Sequence, residues 1–237
     1  MRFASISFRV FLLVLLSAVG LSLYEWGRGH PQDLPWTPLS LADPIGRFTT
    51  LKLSRLRGDF ARCRAILDAG GPAYAIAPTV SRKGACGYSD GVTPRASQSL
   101  ALVPRVTVAC RLQAGLFLWE QQVVQPAAQK YFGVAVMRVD HFGSYACRRI
   151  RGAGDRGWSE HASANAIDIA GFRFSDGRRL TVAGAWSAGN RDAAFLHEVR
   201  DGACRIFATT LSPEYNALHR DHLHLDMAER GGWSFCR

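Results

Sequence analysis

The sequence predicts an α+β domain built on a small antiparallel sheet with flanking helices. Helix-patterned segments come first, short strand-patterned segments joined by turn residues follow, and several of those alternate apolar with polar side chains. The chain has 237 residues, 48% of them apolar and 20% charged, which is a globular composition long enough for one domain with its own core.

Residues 1–26 form a separate unit. Arg2 and Arg9 precede an uncharged, mainly apolar run over 10–24, and Trp26 is suited to a membrane interface. The pattern is that of an export signal or a membrane anchor. A small-x-small cleavage site at Ala18-Val19-Gly20 is a weak match, so an uncleaved anchor is expected, with its N-terminus in the cytoplasm and the rest outside. Residues 27–47 hold Pro31, Pro35, Pro38 and Pro44 with little periodicity, and read as a linker. The folded domain is expected over 48–237.

Within it, 58–70 has helical spacing, with Phe60, Cys63 and Leu67 along one side. Segment 84–91 and Pro94 are expected as loop. The strongest helix is 105–132, with Leu112, Leu116, Trp119, Val123 and Ala127 at helical spacing. Pro126 should kink or divide it, and Gly133 should end it. Strands are expected at 134–140, at 166–172 and 179–182 around the turn Ser175-Asp176-Gly177, at 205–208 and at 222–227, with a helix at 192–199. No internal repeat is present.

Cys63, Cys86, Cys110, Cys147, Cys204 and Cys236 are even in number and widely spaced in an exported chain, which implies up to three disulfides. Cys204 with Cys236 and Cys63 with Cys86 are the expected pairs. The absence of Cys-x-x-Cys argues against a thiolate zinc site or a thioredoxin motif. The net charge of +10 suits an anionic polymer of the cell envelope. Nucleic acid is excluded as a partner, because no recognition motif occurs and the compartment is wrong.

The chemistry sits in two short motifs. Ser159-Glu160-His161 leads through small residues to Asp168, and His222-Leu223-His224 lies near the C-terminus. His161 and Asp168 are too far apart along one helix to share an ion, so a loop running into a strand at 166 is expected. There Asp168 faces opposite to Ile167 and Ile169. His222 and His224 share a strand face, with Leu223 and Leu225 behind them. Two imidazoles and one carboxylate with a position left open make a catalytic rather than a structural zinc site. His161, Asp168 and His224 are the expected ligands of one zinc ion, although other divalent ions suit such donors too. The base beside the bound water is either His222 or Asp221. Strand geometry favours His222, and Asp221 serves only if the strand begins after it. His30, His141, His197 and His219 are read as structural, Glu160 as solvated, and Asp226 as an arginine partner or an orienting group for a histidine.

His-x6-Asp followed by His-x-His resembles the metallopeptidases that include lysostaphin-type enzymes, D-Ala-D-Ala peptidases and the hedgehog domain. From about residue 63 to 236 the chain resembles the bacterial extensin-like C-terminal family. The resemblance is carried by Cys86-Gly87, Gln125-Pro126-Ala127-Ala128, Gly143 through Arg148, Ser159 through Ile169, Gly202-Ala203-Cys204, Leu211-Ser212-Pro213 and His219 through Asp226. It implies a hedgehog/DD-peptidase-like zinc fold, with His161, Asp168 and His224 as ligands. Asp221 stands where the dipeptidase branch has a basic Glu, one methylene longer. Arg148 or Arg149 would hold the substrate carbonyl, and only Arg148 fits the motif.

The function expected is a zinc-dependent envelope peptidase acting on peptidoglycan stem or cross-link peptides. The domain would be anchored in the inner membrane facing the periplasm, or secreted to the periplasm if the signal is cleaved. The alternatives are a catalytically silent, zinc-stabilised wall-binding module and a structural envelope protein without metal.

Overall fold

The computed structural model describes residues 2–95, 100–150 and 157–237. Met1 and the side chains of 2–7, Arg2 of the basic flank among them, lie outside the described residues. Helix α1 (Arg2–Gly29) contains a segment of 22 residues, Phe8–Gly29, long and apolar enough to cross a membrane. By length and composition it fits a membrane anchor or a signal sequence. The Pro-rich segment after it is packed against the domain. Leu39 and Leu41 enter the core, and the Gln122 side chain accepts from the Ile45 N–H and donates to the Asp43 carbonyl.

Helices α2 (Thr49–Ser54) and α3 (Phe60–Gly70) follow, and α3 begins where the Asp59 carboxylate accepts from the Arg62 N–H. The chain then makes β1 (Tyr74–Ile76) and a hairpin of β2 (Val80–Ser81) with β3 (Gly87–Tyr88). β4 (Gly91–Pro94) pairs with β1. β5 (Ala101–Val103) joins the main sheet, and β6 (Val108–Ala109) returns to pair with β4. Segment 84–91, expected as loop, thus carries β3 and the start of β4. Strands this short leave no alternating pattern to detect.

The long helix starts at α4 (Cys110–Trp119) rather than at 105, because 108–109 are taken up by β6. It runs through a π turn, Glu120–Val124, into α5 (Gln125–Phe132). Pro126 neither breaks nor divides it. In a regular helix its ring would strike the carbonyl four residues back, and the wider turn ahead of it, closed by the Gln125 N–H on the Glu120 carbonyl, relieves that clash. Gly133, at φ 69°, ends the helix in the left-handed cap that glycine favours.

Glu120 is 6% exposed and accepts from the Leu100 N–H and the Gln121 side chain. Burial pushes its carboxyl up to about 7, against those two hydrogen bonds. The folded chain therefore holds a proton that the unfolded chain releases near pH 4.5. Stability should fall as pH rises from about 4.5 to 7 and then level off. Glu120→Gln keeps the acceptor for Leu100 and removes the titration. We expect it to be more stable than wild type by roughly 2 kcal/mol at pH 8, with the gap closing toward pH 5, in urea unfolding at both pH values.

β7 (Val136–His141), β8 (Ala166–Phe174), β9 (Arg179–Thr181), β10 (Thr209–Leu211), β11 (Leu223–Asp226) and β12 (Phe235–Cys236) complete the main sheet. Its order is β12-β10-β11-β8-β7-β5, with β9 also on β8. The central pairings are antiparallel, but β5 with β7 and β10 with β12 are parallel, so the sheet is mixed at its edges. The first follows from connectivity, since the long helix carries the chain from β5 back to β7. α6 (Val182–Ala185) and α7 (Arg191–Ala203) lie between β9 and β10. α4 and α7 meet β8 through Trp119, Phe172 and Phe195, and the Trp119 indole N–H donates to the Val199 carbonyl. Residues 205–208, expected as a strand, are the turn out of α7, with the Phe207 N–H on the Ala203 carbonyl. Ile206 and Phe207 are fully buried there, and a short buried apolar run looks like a strand by composition.

The disulfides are Cys63–Cys110, Cys86–Cys147 and Cys204–Cys236. The expected Cys63–Cys86 pair is incorrect. Cys63 lies on the buried face of α3 against the first turn of α4, whereas Cys86 sits on the β2–β3 hairpin beside the loop that carries Cys147.

Candidate metal centre

β8 and β11 are antiparallel neighbours, with Asp168 directly opposite His224. The two-residue period sends Ile167, Ile169, Leu223 and Leu225 into the core at 0% exposure and leaves Asp168 and His224 on the other face. His161 comes from the short turn Glu160–Ser163, which starts where the Ser159 hydroxyl accepts from the His161 N–H. The turn ends at Ala164, a non-glycine residue at φ 55°, which swings the chain into β8.

The outer nitrogens of both rings are already engaged. His161 Nδ1–H donates to the Ser144 carbonyl at 2.6 Å, and His224 Nε2 faces Asp226 Oδ2 at 2.9 Å. These partners fix each ring's rotation and leave His161 Nε2 and His224 Nδ1 pointing inward. The two inner nitrogens lie 3.2 Å apart, and they are 3.2 and 2.9 Å from Asp168 Oδ1. Two lone pairs and an anionic oxygen this close need a positive charge among them.

The same contacts shift the acidity of the groups that make them. Burial raises the Asp168 carboxyl, but hydrogen bonds from His161 and His224 outweigh it and hold the group well below the usual carboxylate range. Burial lowers His224, but its hydrogen bonds to Asp168 and Asp226 lift it to about 9. The contacts that raise His224 favour its protonated form. A divalent ion would compete for that lone pair and expel the proton on binding.

A family model described as extensin-like protein C-terminus matches residues 61–237. The chain belongs to the extensin-like C-terminal family. No curated protein and no solved structure matches it. The matched span contains all three inward-facing donors and both motifs that carry them, whereas α1 and the Pro-rich segment precede it.

Within this extensin-like domain His222 lies just before β11 rather than on it, since the strand starts at Leu223. Its Nε2 is still 3.6 Å from Asp168 Oδ1, and its Nδ1 meets Asp221 Oδ1 at 2.8 Å. Because the strand begins after Asp221, that residue does not face away, and the two candidate bases form one hydrogen-bonded pair. Arg148 is half-buried, and its charge helps hold down His219.

Three neighbours escape the sequence reading. His219, set aside as structural, lies 5.2 Å from His222 with the rings tilted and 6.0 Å from His224 edge to face, between ring centroids. Burial, and then the charges of His222 and His224, push it down to about 4, so it is a neutral ring near pH 7. Phe142 is 62% exposed and meets His222 edge to face at 5.7 Å. The Phe142 N–H donates to the Asp168 carbonyl, and Gly143, at φ 121°, accepts from the Asp168 N–H. Glu160, expected in solvent, is half-buried and accepts from the Asn165 amide, whose oxygen accepts from the buried Arg111 Nε. That network packs the His161 turn onto α4. His141 is buried, and its Nε2–H donates to the Pro104 carbonyl.

Asp226 pairs with His224 and not with an arginine among the described residues. Asp226→Asn should therefore leave the fold standing and weaken divalent-cation affinity by about 10–100-fold, as loss of an orienting partner does. Titration calorimetry checks this.

Proposed function

We propose that this chain is a zinc-dependent peptidase of the cell envelope that hydrolyses peptide bonds of the peptidoglycan stem or cross-link. The observation that carries the reading is the triangle of His161 Nε2, His224 Nδ1 and Asp168 Oδ1, with edges of 3.2, 3.2 and 2.9 Å. A tetrahedral zinc with bonds of about 2.0–2.1 Å to nitrogen and oxygen spaces its ligands about 3.3 Å apart. The donors fit one face of such a tetrahedron, and their fixed ring rotations fit ligation. Two imidazoles and one carboxylate leave a position for water and substrate, the donor count of a catalytic site. Asp168 of His-x6-Asp meeting His224 of His-x-His on neighbouring antiparallel strands also supports kinship with the lysostaphin, D-Ala-D-Ala peptidase and hedgehog group.

When bound, zinc supplies a Lewis acid that polarises the peptide carbonyl and lowers the pKa of water to about 7. The rest falls to the chain's own residues. His222 Nδ1–H donates to Asp221, so Nε2 is the basic nitrogen and faces the site. It takes a proton from the attacking water and returns it to the leaving amine, while Asp221 holds the ring and stabilises its cationic form. Arg148 binds the substrate's carbonyl or carboxylate. The exposed Phe142 ring limits access to His222 on one side.

The apolar α1 supports a membrane anchor, and the disulfides support an oxidising compartment outside the cytoplasm. The net charge of +10 suits an anionic wall polymer.

Chromatography of muropeptides after incubation with the full chain and zinc tests the reading. New stem-peptide products are expected from wild type. Asp221→Ala should keep its zinc and lose on the order of 100-fold or more in turnover. Zinc bound with no product released would instead favour a wall-binding module.

A further inference from the structure

Lys52 in α2 is only 4% exposed, and a buried ammonium is costly unless it is paired. Its hydrogen-bond partners both lie on the segment after α1. Nζ donates to the Pro31 carbonyl at 2.7 Å and to Thr37 Oγ1 at 2.7 Å. The acids whose charge acts on it, Asp43 and Asp33, are on the same segment. The Arg55 guanidinium donates to the Pro35 carbonyl, and Asp33 accepts from the Arg47 N–H. Residues 31–37 are thus a strap pinned to the domain.

The strap is equally joined to α1. The Leu34 side chain lies against Gly27, where a Cβ would come within 3.3 Å of it. His30 Nδ1–H donates to the Trp26 carbonyl at 2.8 Å, and the two rings stack at 4.9 Å. A continuous path of contacts therefore runs from the last turn of α1 into α2. On this pinned strap the Trp36 indole is 76% exposed, and Trp26 on α1 is 49% exposed. Arg28 lies in the last turn of α1, and Arg55 sits at the peptide before Trp36.

We infer that the outer face of the strap docks on the headgroup region of the bilayer that α1 enters, with Trp36 as a second interfacial anchor that fixes the height and tilt of the domain. This rests on α1 being membrane-inserted. Indole favours the boundary between water and acyl chains, and guanidinium groups favour anionic headgroups. The occupant follows from continuity: the strap leaves a helix whose apolar window is 6% buried in the protein. A hydrogen-bonded strap held by a buried lysine would otherwise present a large aromatic ring to water.

The test uses the full chain reconstituted in vesicles of anionic and zwitterionic phospholipid, with and without bromine on the upper acyl chain. Subtracting the fluorescence of Trp36→Phe or Trp26→Phe from wild type isolates each indole. We expect Trp36 to be quenched by brominated lipid about as strongly as Trp26 and shielded from aqueous iodide. In Lys52→Met, with its fold checked by circular dichroism, Trp36 should become open to iodide while Trp26 stays lipid-quenched. Iodide quenching of Trp36 in wild type, with Trp26 still lipid-quenched, overturns the docking and leaves the anchor standing. Lipid quenching of neither overturns both. Unchanged lipid quenching of Trp36 in Lys52→Met overturns the part given to the lysine.

Discussion

Replacing His161 with alanine is expected to abolish divalent-cation binding and muropeptide cleavage together while the domain stays folded. The ring is 2% exposed and contributes one of the three inward-facing donors. Loss of an orienting partner alone weakens metal sites by about 10–100-fold, so loss of a ligand should exceed about 100-fold. The remaining pair, Asp168 and His224, would keep their 2.9 Å contact and share a proton instead. The cost to the metal-free fold should be modest, about 1–3 kcal/mol for the Ser144 carbonyl left without its donor. The sharper readout is the stabilisation that zinc confers. Wild type should gain about 4 kcal/mol at a thousandfold excess over its dissociation constant, and the variant close to none. Titration calorimetry and thermal unfolding with and without zinc measure both. Affinity within a few-fold of wild type would remove His161 from the site.

Removing the Cys63–Cys110 disulfide by replacing both residues with alanine should cost about 4 kcal/mol, the chain-entropy value for its 47-residue separation. Both half-cystines are essentially fully buried, so the lost sulfur packing adds to that figure. The effect should reach the site. α4 begins at Cys110, and the residues beside it hold the His161 turn: the Ala109 N–H donates to the Ala164 carbonyl at 2.8 Å, and Arg111 Nε donates to Asn165 at 3.0 Å. A loosened α4 start should lower both the urea midpoint and the zinc affinity. An unchanged midpoint would contradict the structural weight given to this bridge. A lowered midpoint with unchanged affinity would uncouple α4 from the site.

The parts of the fold legible in the sequence are those with a period. Leu112, Leu116, Trp119, Val123 and Ala127 mark the long helix because buried apolar residues recur along it at helical spacing, although α4 is buried on nearly every side. Asp168 and His224 declare their shared face because leucines and isoleucines alternate around both. What a period cannot carry was not legible. Cys63 finds Cys110 because two helices cross, and no spacing encodes that crossing. His219 and Phe142 reach the site from turns outside the strands, where no alternation marks a side. Asp221 and His222 could not be separated as bases because the answer depends on where β11 starts. It starts at Leu223, directly after His222, and the two side chains form one hydrogen-bonded pair. The π turn before Pro126 was hidden because proline signals a break, while the chain absorbs it by widening one turn.

The metal content of the full chain, measured by mass spectrometry after incubation with zinc and removal of unbound ion, tests the central claim most directly. One zinc per chain in wild type and none in Asp168→Ala is the predicted result. Wild type that retains no zinc, or Asp168→Ala that keeps a full complement, would contradict it.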